Sequence, residues 1–437
     1  MAEKMKPSGI DWIGDIPNEW DITKVKYRTS QIGSGTTPDS GNPLYYEDGC
    51  FPWIQSGDLY NADYIRDTEK KITELAVADF NALTWYEKEF VVVAMYGASV
   101  GNIAISQISS YTNQACCVLK AKDDDLRYLF YFLSAGKENM LQMAFGGTQP
   151  NISQAIIKNL PYLDVSHNEQ QAIADFLDKE CGQIDSVAAD LEKQIALLQQ
   201  YKKSLITETV TKGLDKSVPM KDSGVEWTSK IPCHWEIKRF KYVCEYITDG
   251  SHFSPETTDE GYPYITAADV KGVGLDYDAA KKISQQDFIS LQKAGCQPRK
   301  GDVLLVKDGA TTGRIGMVTS EKPCVVLSSV AILRTPDNMD ARYLRYLMES
   351  DFVQAQIQAS MAGSAMPRTV LSKIINYWGI TCPKEEQKEI CDFLDRKCGY
   401  IETVIETKQV QQSTIQQHKK SLIYEYVTGK KRVKEVR

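Results

Sequence analysis

Apolar residues before the middle of the chain recur with spacings that alternate between four and three positions. They fall at Leu177, Cys181, Ile184, Ala188, Leu191, Ile195, Leu198 and Leu205, with an interruption at Lys202. This 3.5-residue period is the seam of a coiled coil, because a strand would alternate at every second residue. The pattern predicts one helix over about residues 170–211, roughly 60 Å long at 1.5 Å per residue.

A second helix of the same kind is predicted near the end of the chain. Its seam contains Leu394, Cys398, Ile401, Ile405, Ile415 and Leu422. Each helix is the obvious partner of the other, since neither can bury its apolar stripe alone. Lys408 and Gln412 fall on the same seam. They either fix the register of two paired helices or lie at a solvated edge, and the pattern supports both interpretations equally.

Two other regions carry the short apolar runs of β-strands. Each predicts strand, turn and strand around two glycines: residues 90–94 and 102–105 around Gly97 and Gly101, and residues 302–306 and 315–318 around Gly309 and Gly313. A helix with a shared Arg-Tyr-Leu follows each pair, at residues 126–133 and 341–348, and then a loop with Gly and Pro, at residues 146–153 and 362–369. The glycines suit either a plain β-turn or the close approach of another backbone.

Three blocks of sequence occur twice in the chain, and the segments between them differ. KPSGIDWIGDIPNEWDITKVKY at residues 6–27 returns as KDSGVEWTSKIPCHWEIKRFKY at residues 221–242. Residues 169–187 return at 386–404, and residues 199–211 return at 416–428. The residues between these blocks agree only in scattered places. An internal pseudo-two-fold repeat with two divergent inserts indicates one repeated frame that carries two different recognition modules.

Length and composition predict a soluble protein of several domains. The 437 residues exceed one core, and 42% hydrophobic with 25% charged residues is ordinary for globular proteins. No apolar run approaches the roughly 18 residues of a membrane span, and the first residues show no signal-peptide core, which predicts the cytoplasm. The basic segment at residues 430–437 is predicted to be a solvated, frayed tail.

The cysteines and histidines do not predict a metal site. The eleven cysteines include no C-x-x-C pair, and the four histidines lie far apart along the chain. A zinc site needs four ligands that converge at short spacing. Cys116 and Cys117, within an apolar run, and Cys181 and Cys398, at equivalent helix positions, are predicted to be packing residues.

No motif predicts catalysis by this chain alone. Residues 33–37 (GSGTT) lack the lysine of a phosphate-binding loop. Residues 159–162 (NLPY) only faintly resemble the Asn-Pro-Pro-Tyr motif of adenine methyltransferases, and no glycine-rich cofactor loop follows a strand. Glu386-Gln387-Lys388 resembles a nuclease Glu-x-Lys, but its counterpart at residues 169–171 lacks the lysine.

Nucleic-acid binding is the better prediction, although the net charge of −7 requires local basic patches. Arginine pairs with guanine and lysine neutralises phosphates, while short polar side chains read base edges or cap a helix. A solvated surface charge is the competing interpretation at each basic position. The candidates are Arg66, Lys70, Lys71, Thr148, Gln149, Asn151, Lys281, Lys282, Arg299, Lys300, Lys307, Arg314 and Arg368.

In this order, the segments resemble the specificity subunit of type I restriction–modification systems over essentially the whole chain. The resemblance is carried by residues 8–12 and 16–20 with their copies at 223–227 and 231–235, the insert openings 33–38 and 248–255, the closing loop 147–153, and the helix openings at Glu169-Gln170 and Glu386-Gln387. The second closing loop, at residues 363–368, departs from the pattern because it lacks the glutamine and asparagine of the first.

The resemblance implies an α+β protein and a non-catalytic DNA reader. Residues 1–160 and 214–376 would be target recognition domains, each mixed α/β. Residues 161–213 and 377–437 would be helical spacers that form an antiparallel coiled coil. The chain would bind a bipartite, asymmetric site in double-stranded DNA.

The resemblance also implies the partners. Two methyltransferase subunits would dock on the frame, and two restriction (motor–nuclease) subunits could join them. S-adenosylmethionine and ATP would bind those partners, so no cofactor is expected on this chain. Two other hypotheses stay open: a nuclease or methyltransferase with a degenerate site, and a coiled-coil scaffold that binds only proteins.

Overall fold

The computed structural model describes residues 4–144, 150–361 and 367–433. The chain divides into two compact units. Unit 1 contains residues 1–191 and 410–437, and unit 2 contains residues 192–409. Each of the two long helices therefore contributes residues to both units. No described helix has the length and apolar composition needed to cross a membrane.

Unit 1 is a mixed α/β structure built from short strands and helices. Its strands are β1 (Met5–Pro7), β2 (Asp15–Pro17), β3 (Asp21–Lys24), β4 (Thr29–Gly33), β5 (Phe51–Ile54), β6 (Tyr64–Ile65), β7 (Lys71–Ile72), β8 (Phe90–Ala94), β9 (Ile103–Ser106), β10 (Tyr111–Thr112), β11 (Cys116–Ala121) and β12 (Pro161–Asp164). Its helices are α1 (Val25–Arg28), α2 (Glu74–Asp79), α3 (Leu126–Ala135), α4 (Lys137–Gln142), α5 (Gln154–Asn159) and the first part of α6 (His167–Lys212).

The main sheet of unit 1 has the order β4-β11-β8-β9-β6. Its central strand β8 is buried on both faces, which explains its uninterrupted apolar sequence FVVVA. Val91 and Val93 pack into a core with α3 and the long helices, whereas Phe90 and Val92 face a second core. A smaller sheet has the order β10-β5-β7.

Unit 2 repeats this plan with different lengths. Its strands are β13 (Met220–Val225), β14 (Thr228–Pro232), β15 (Glu236–Arg239), β16 (Tyr246–Asp249), β17 (Thr257–Thr258), β18 (Tyr262–Ile265), β19 (Lys281–Ile283), β20 (Val303–Val306), β21 (Ile315–Met317), β22 (Val325–Val326), β23 (Val330–Arg334) and β24 (Trp378–Thr381). Its helices are α7 (Phe240–Val243), α8 (Gln285–Lys293), α9 (Ala341–Glu349), α10 (Asp351–Met361), α11 (Leu371–Ile374) and most of α12 (Lys384–Val427).

The main sheet of unit 2 has the order β16-β23-β20-β21, and β20 occupies the place of β8. Val303 and Leu305 face the core shared with α9 and the long helices, whereas Leu304 and Val306 face another core. The second sheet of this unit has the order β17-β19-β18-β22. The two inserts thus share a scaffold although their sequences have diverged.

The predicted elements are confirmed. The helices expected over 170–211 and near the chain end are α6 and α12, and the Arg-Tyr-Leu helices are α3 and α9. The two predicted strand pairs are the antiparallel pairs β8–β9 and β20–β21. The four cysteines expected to pack, Cys116, Cys117, Cys181 and Cys398, are all buried.

Identical hydrogen bonds explain the first repeated residues of each long helix. Trp20 Nε1 donates to Glu169 Oε2 at 3.0 Å, and Trp235 Nε1 donates to Glu386 Oε2 at the same distance. The adjacent glutamine, Gln170 in unit 1, is buried and accepts from the amide of Asp125, the residue that caps the Arg-Tyr-Leu helix. The repeated Trp and Glu-Gln therefore tie the lead segment, the insert and the long helix together.

An arginine clasp fixes the Arg-Tyr-Leu helix on the long helix of each unit. Arg127 in unit 1 and Arg342 in unit 2 each hold three carboxylates at 2.7–3.0 Å, contributed by Asp125, Asp175 and Asp178 and by Asp340, Asp392 and Asp395. The hydrogen bond to Asp125 is the main cause that raises the pKa of Arg127 above its ordinary value. The lead segment, the Arg-Tyr-Leu helix and the long helix of each unit thus form a frame that supports the sheet and the loops at its ends.

Within each unit the two long helices pack in opposite directions. In unit 1, the rings of Phe176 and Tyr426 lie 4.3 Å apart, and Lys419 pairs with Asp185 at 2.8 Å, so residue numbers rise on one helix as they fall on the other. In unit 2, the contacts are Lys202 with Glu402 at 2.5 Å and Lys408 with Gln194 at 2.6 Å. Of the fourteen apolar seam residues, eight are buried and six are half-buried: Leu177, Cys181, Ala188, Leu191, Leu394, Cys398, Ile401 and Leu422, then Ile184, Ile195, Leu198, Leu205, Ile405 and Ile415.

The seam lysine contacts the facing helix at a partly exposed position. Lys408 is half-buried, and its ammonium group donates to the Gln194 amide oxygen of α6. This contact favours the first interpretation of the polar seam positions, in which they fix register. Gln412, on the same face, is also half-buried.

The prediction of a frayed basic tail is wrong for its described part. Arg432 pairs with Glu19 at 2.7 Å and with Glu169 at 2.5 Å. Its guanidinium also lies over the Trp20 ring, 5.3 Å from the centroid. Two carboxylates and an aromatic face therefore hold the chain after α12 on unit 1. Residues 434–437 of the tail lie outside the described part of the chain.

Candidate nucleic-acid interface

The two glycine turns have the same backbone structure. Gly97 and Gly101 have φ of +88° and +77°, and Gly309 and Gly313 both have φ of +95°. In each turn the second glycine donates to the last residue of the preceding strand at 2.8 Å. Positive φ at these four positions explains why glycine is repeated in both turns. A Cβ at Gly309 would meet nothing within 4 Å, so the tip of this turn is open to the outside.

The last residues of each Gly- and Pro-containing loop (146–153 and 362–369) lie beside the glycine turn of their unit. Ile152 donates its amide to the carbonyl of Met95 at 2.8 Å, and Thr369 donates to Lys307 at the same distance. In unit 2, Gly309 also donates to the carbonyl of Pro367 at 3.0 Å. The residues just before these anchors, Asn151 and Arg368, therefore occupy the same place on the two scaffolds.

Asn151 and Arg368 are both exposed next to the turn. In unit 1, the nearby side chains bond through uncharged groups: Gln154 Nε2 donates to Ser34 Oγ at 2.8 Å, and Thr37 Oγ1 donates to Gln114 Oε1. Hydroxyl and amide groups of this kind both donate and accept hydrogen bonds. These contacts of unit 1 thus join uncharged groups, whereas Lys137, whose Nζ donates to Asn102 Oδ1 at 2.7 Å, brings a charge to the end of the turn.

The corresponding surface of unit 2 is built from charges. Lys307 Nζ lies 3.3 Å from Asp249 Oδ2 and 3.2 Å from Asp308 Oδ2. Arg368 Nε lies 2.8 Å from Asp308 Oδ1, which completes a chain of alternating charges. His252 Nε2 lies 3.4 Å from Asp249 and borders the same group. We call Asp249, Lys307, Asp308 and Arg368 the charged cluster.

The structure corrects the role expected for Lys307. Its side chain is 3% exposed and is enclosed by two carboxylates, so its ammonium group does not face solvent where a phosphate would bind. The sequence alone missed Asp249 and Asp308. Their signal is in the repeat, because Lys307-Asp308-Gly309 stands where the first copy has Met95-Tyr96-Gly97.

Other basic candidates lie on separate elements. Arg66, Lys70 and Lys71 are exposed on or before β7, where Lys71 lies 3.6 Å from Asp67. The remaining candidates of unit 2 are Lys281 and Lys282 on β19, Arg299 and Lys300 before β20, and Arg314 at the end of the glycine turn. Their contacts with DNA stay predictions.

The structure thus brings together Asn151 with the first turn, and Arg314, Lys307 and Arg368 with the second. Thr148 and Gln149 lie outside the described residues. The cap of α5 is Ser153, whose hydroxyl accepts from the Ile156 amide. Asn151 therefore does not serve as that cap, which leaves its side chain to the surface.

Within the described ranges, no group of three or more His, Cys, Asp and Glu side chains has the arrangement of a metal site. The cysteines next to the turns are also unsuited to nucleophilic chemistry. Burial raises the pKa of Cys117 to about 12, which disfavours the reactive thiolate. What the exposed groups beside the turns can do chemically is donate and accept hydrogen bonds.

Comparison with known proteins identifies a family. The model described as the type I restriction modification DNA specificity domain matches the chain twice, over residues 26–197 and 232–412. The type I restriction enzyme MjaVIII specificity subunit of Methanocaldococcus jannaschii is 24% identical over 433 residues, which cover 96% of this chain and 95% of that protein. The MjaIX specificity subunit of the same organism is 24% identical over 394 residues, 85% of each chain.

A solved structure shares the fold. It is described as the structural basis underlying complex assembly and conformational transition of the type I restriction–modification system. One of its chains aligns with a TM-score of 0.70 at 14% sequence identity, covering 94% of this chain and 98% of that one.

Proposed function

Because the chain belongs to the type I restriction–modification DNA specificity family, we propose that it is the sequence-specific DNA-binding subunit of such a complex. The observation that carries the proposal is the pairing of one repeated scaffold with two different loop surfaces. The side-chain contacts beside Asn151 in unit 1 join uncharged groups, whereas those of Arg368 and Lys307 in unit 2 join charged groups. Two such surfaces would read two unlike half-sites, so the DNA site is bipartite and asymmetric.

The long helices would act as a spacer between the half-sites. The 3.5-residue seam, its burial within each unit and the opposed direction of the helices support an antiparallel coiled coil. A rigid spacer would fix the separation of the half-sites on the order of one DNA turn, about 34 Å. The target recognition domains would be residues 1–160 and 214–376, with spacers at 161–213 and 377–437.

Catalysis would belong to partner subunits. Two methyltransferase subunits would bind S-adenosylmethionine, and two restriction subunits would use ATP. This chain would position them on cytoplasmic DNA without a cofactor of its own. The duplicated frame supports this stoichiometry, because two similar surfaces suit two copies of one partner.

Selection of bound DNA tests the proposal. The full chain, purified with its methyltransferase subunits, would be incubated with a pool of random duplexes, and the bound duplexes would be sequenced. We expect one asymmetric motif in two parts at a fixed spacing. The logarithm of the binding constant should fall linearly with the logarithm of the salt concentration, with a slope of about −0.9 for each phosphate contact. Bound duplexes without any shared motif would refute the proposal, and methyl transfer by the chain without its partners would favour an enzyme.

A further inference from the structure

One equivalent position carries a different side chain in each unit, and this difference indicates which base each side chain contacts. Asn151 in unit 1 and Arg368 in unit 2 both precede the amide that anchors the closing segment to the strand beside the turn. Both side chains are exposed. Asparagine and arginine are the residues that pair bidentately with adenine and guanine, respectively, in the major groove. The same position thus carries the two side chains suited to the two purines.

The guanidinium of Arg368 is paired with a carboxylate that is itself paired with a buried lysine. Arg368 Nε lies 2.8 Å from Asp308 Oδ1, while Asp308 Oδ2 lies 3.2 Å from the buried ammonium of Lys307. Lys307 is fixed in turn by Asp249 at 3.3 Å. The planar guanidinium has five N–H donors, so a contact through Nε leaves the two terminal amino groups for another partner. The Arg368 side chain is 58% exposed.

The charge of the cluster favours a base over a phosphate. Two acidic and two basic side chains have no net charge, so Arg368 attracts phosphate less strongly than an unpaired arginine would. Guanine O6 and N7 are neutral acceptors whose recognition depends on a fixed donor geometry, which Asp308 provides. The ion pair with Asp308 therefore weakens the attraction of Arg368 to a phosphate and favours its hydrogen bonds to a base.

We propose that Arg368, positioned by Asp308, reads a guanine in the half-site bound by unit 2, and that Asn151 reads an adenine at the corresponding place in the other half-site. This inference rests on the proposed function. Asp308 is a positioning residue, because it acts on DNA only through Arg368.

Base analogues test the contact on the full complex, once its site is known. Each guanine of the unit 2 half-site is replaced in turn by 7-deazaguanine, which lacks the N7 acceptor, or by inosine, which keeps N7 and O6. We expect 7-deazaguanine at one position to weaken binding roughly 5- to 150-fold, and inosine there to have little effect. In Arg368→Ala, 7-deazaguanine at that position should have no further effect.

Two further variants separate base reading from simpler roles. Asp308→Asn keeps the charge of Arg368 but loosens its guanidinium, so we expect a smaller preference for guanine with nonspecific affinity unchanged or higher. Arg396→Ala removes an exposed arginine of α12, outside the cluster and not among the DNA-binding candidates, and should leave the preference for guanine intact. Thermal unfolding of each variant shows whether the fold is retained.

The outcomes are distinguishable. If Arg368→Ala weakens binding to every duplex by the same factor, Arg368 contacts a phosphate and the inference is wrong. It is also wrong if Arg368→Ala leaves the sensitivity to 7-deazaguanine unchanged, or if the unit 2 half-site has no guanine. If the unaltered complex shows no sequence preference, the proposed function fails before this inference is reached.

Discussion

Alanine at four glycines within and after the long helices should change stability in opposite directions, although the substitution is the same. Gly182 lies inside α6 and Gly399 lies at the equivalent position of α12, and a Cβ at either would meet nothing within 4 Å. Gly213 and Gly429 follow the ends of these helices with φ of +73° and +72°. The positive φ thus favours glycine in the second pair, whereas nothing in the surroundings favours it in the first.

The magnitudes follow from the local geometry. Glycine inside a helix costs about 0.8–1 kcal/mol relative to alanine, so Gly182→Ala and Gly399→Ala should each raise the free energy of unfolding by about that amount. At Gly213, left-handed backbone costs alanine about 1–2 kcal/mol, and a Cβ 3.2 Å from the Trp235 ring can be accommodated by a small shift. At Gly429 the Cβ would lie 2.5 Å from Pro17, so the loss should reach about 3 kcal/mol.

Thermal unfolding of the purified chain measures the series. For a folding unit of about 200 residues, each kcal/mol shifts the Tm by about 2–4 °C. We expect Gly182→Ala and Gly399→Ala to melt above the unaltered chain, Gly213→Ala below it, and Gly429→Ala lowest. A lower Tm for both helix-interior variants, or an unchanged Tm for Gly429→Ala, would refute the reasoning from backbone angle and neighbouring atoms.

Three other predictions concern the clasp, the charged cluster and the thiols. Arg127→Lys keeps the charge but loses the planar fork that holds three carboxylates, so denaturant unfolding should show a loss of about 1–2 kcal/mol, and no loss would contradict the clasp. Lys307→Met should lower the free energy of unfolding by about 3 kcal/mol, because two carboxylates lose their shared cation. Adding Asp249→Ser should restore part of that loss. Strictly additive losses in the double variant would argue against this coupling. Of the eleven cysteines, only the exposed Cys50 and Cys233 should react rapidly with a thiol reagent in the native protein, and rapid labelling of more would show that the cores open.

The sequence predicts the parts of this fold that depend on local periodicity. The 3.5-residue spacing is enough to place both long helices, because a seam repeated over many turns has no other common explanation. The strands beside the glycine turns are also predictable, since β8 and β20 are short apolar runs buried on both faces. Repeated residues such as Glu169 mark the frame, although their spacing does not reveal that a tryptophan indole is the partner.

What the sequence does not predict are contacts between distant segments. The last turns of α12 complete the core of unit 1, where Leu422 and Val427 pack with residues from the first half of the chain. Nothing in the local pattern distinguishes that arrangement from packing on unit 2. Lys307 shows the same limit, because a lysine beside a turn looks like a surface charge until Asp249 and Asp308 are placed around it.

In the proposed function, each unit reads its own half of one DNA site. The most direct test is a map of methylated adenines in cells that express the chain with its methyltransferase subunits. Residues 28–159 would be replaced by the corresponding insert of a relative with another specificity, and the map would be repeated. We expect one half of the motif to change, while the other half and its place in the site persist. An unchanged motif, or the replacement of both halves, would contradict it.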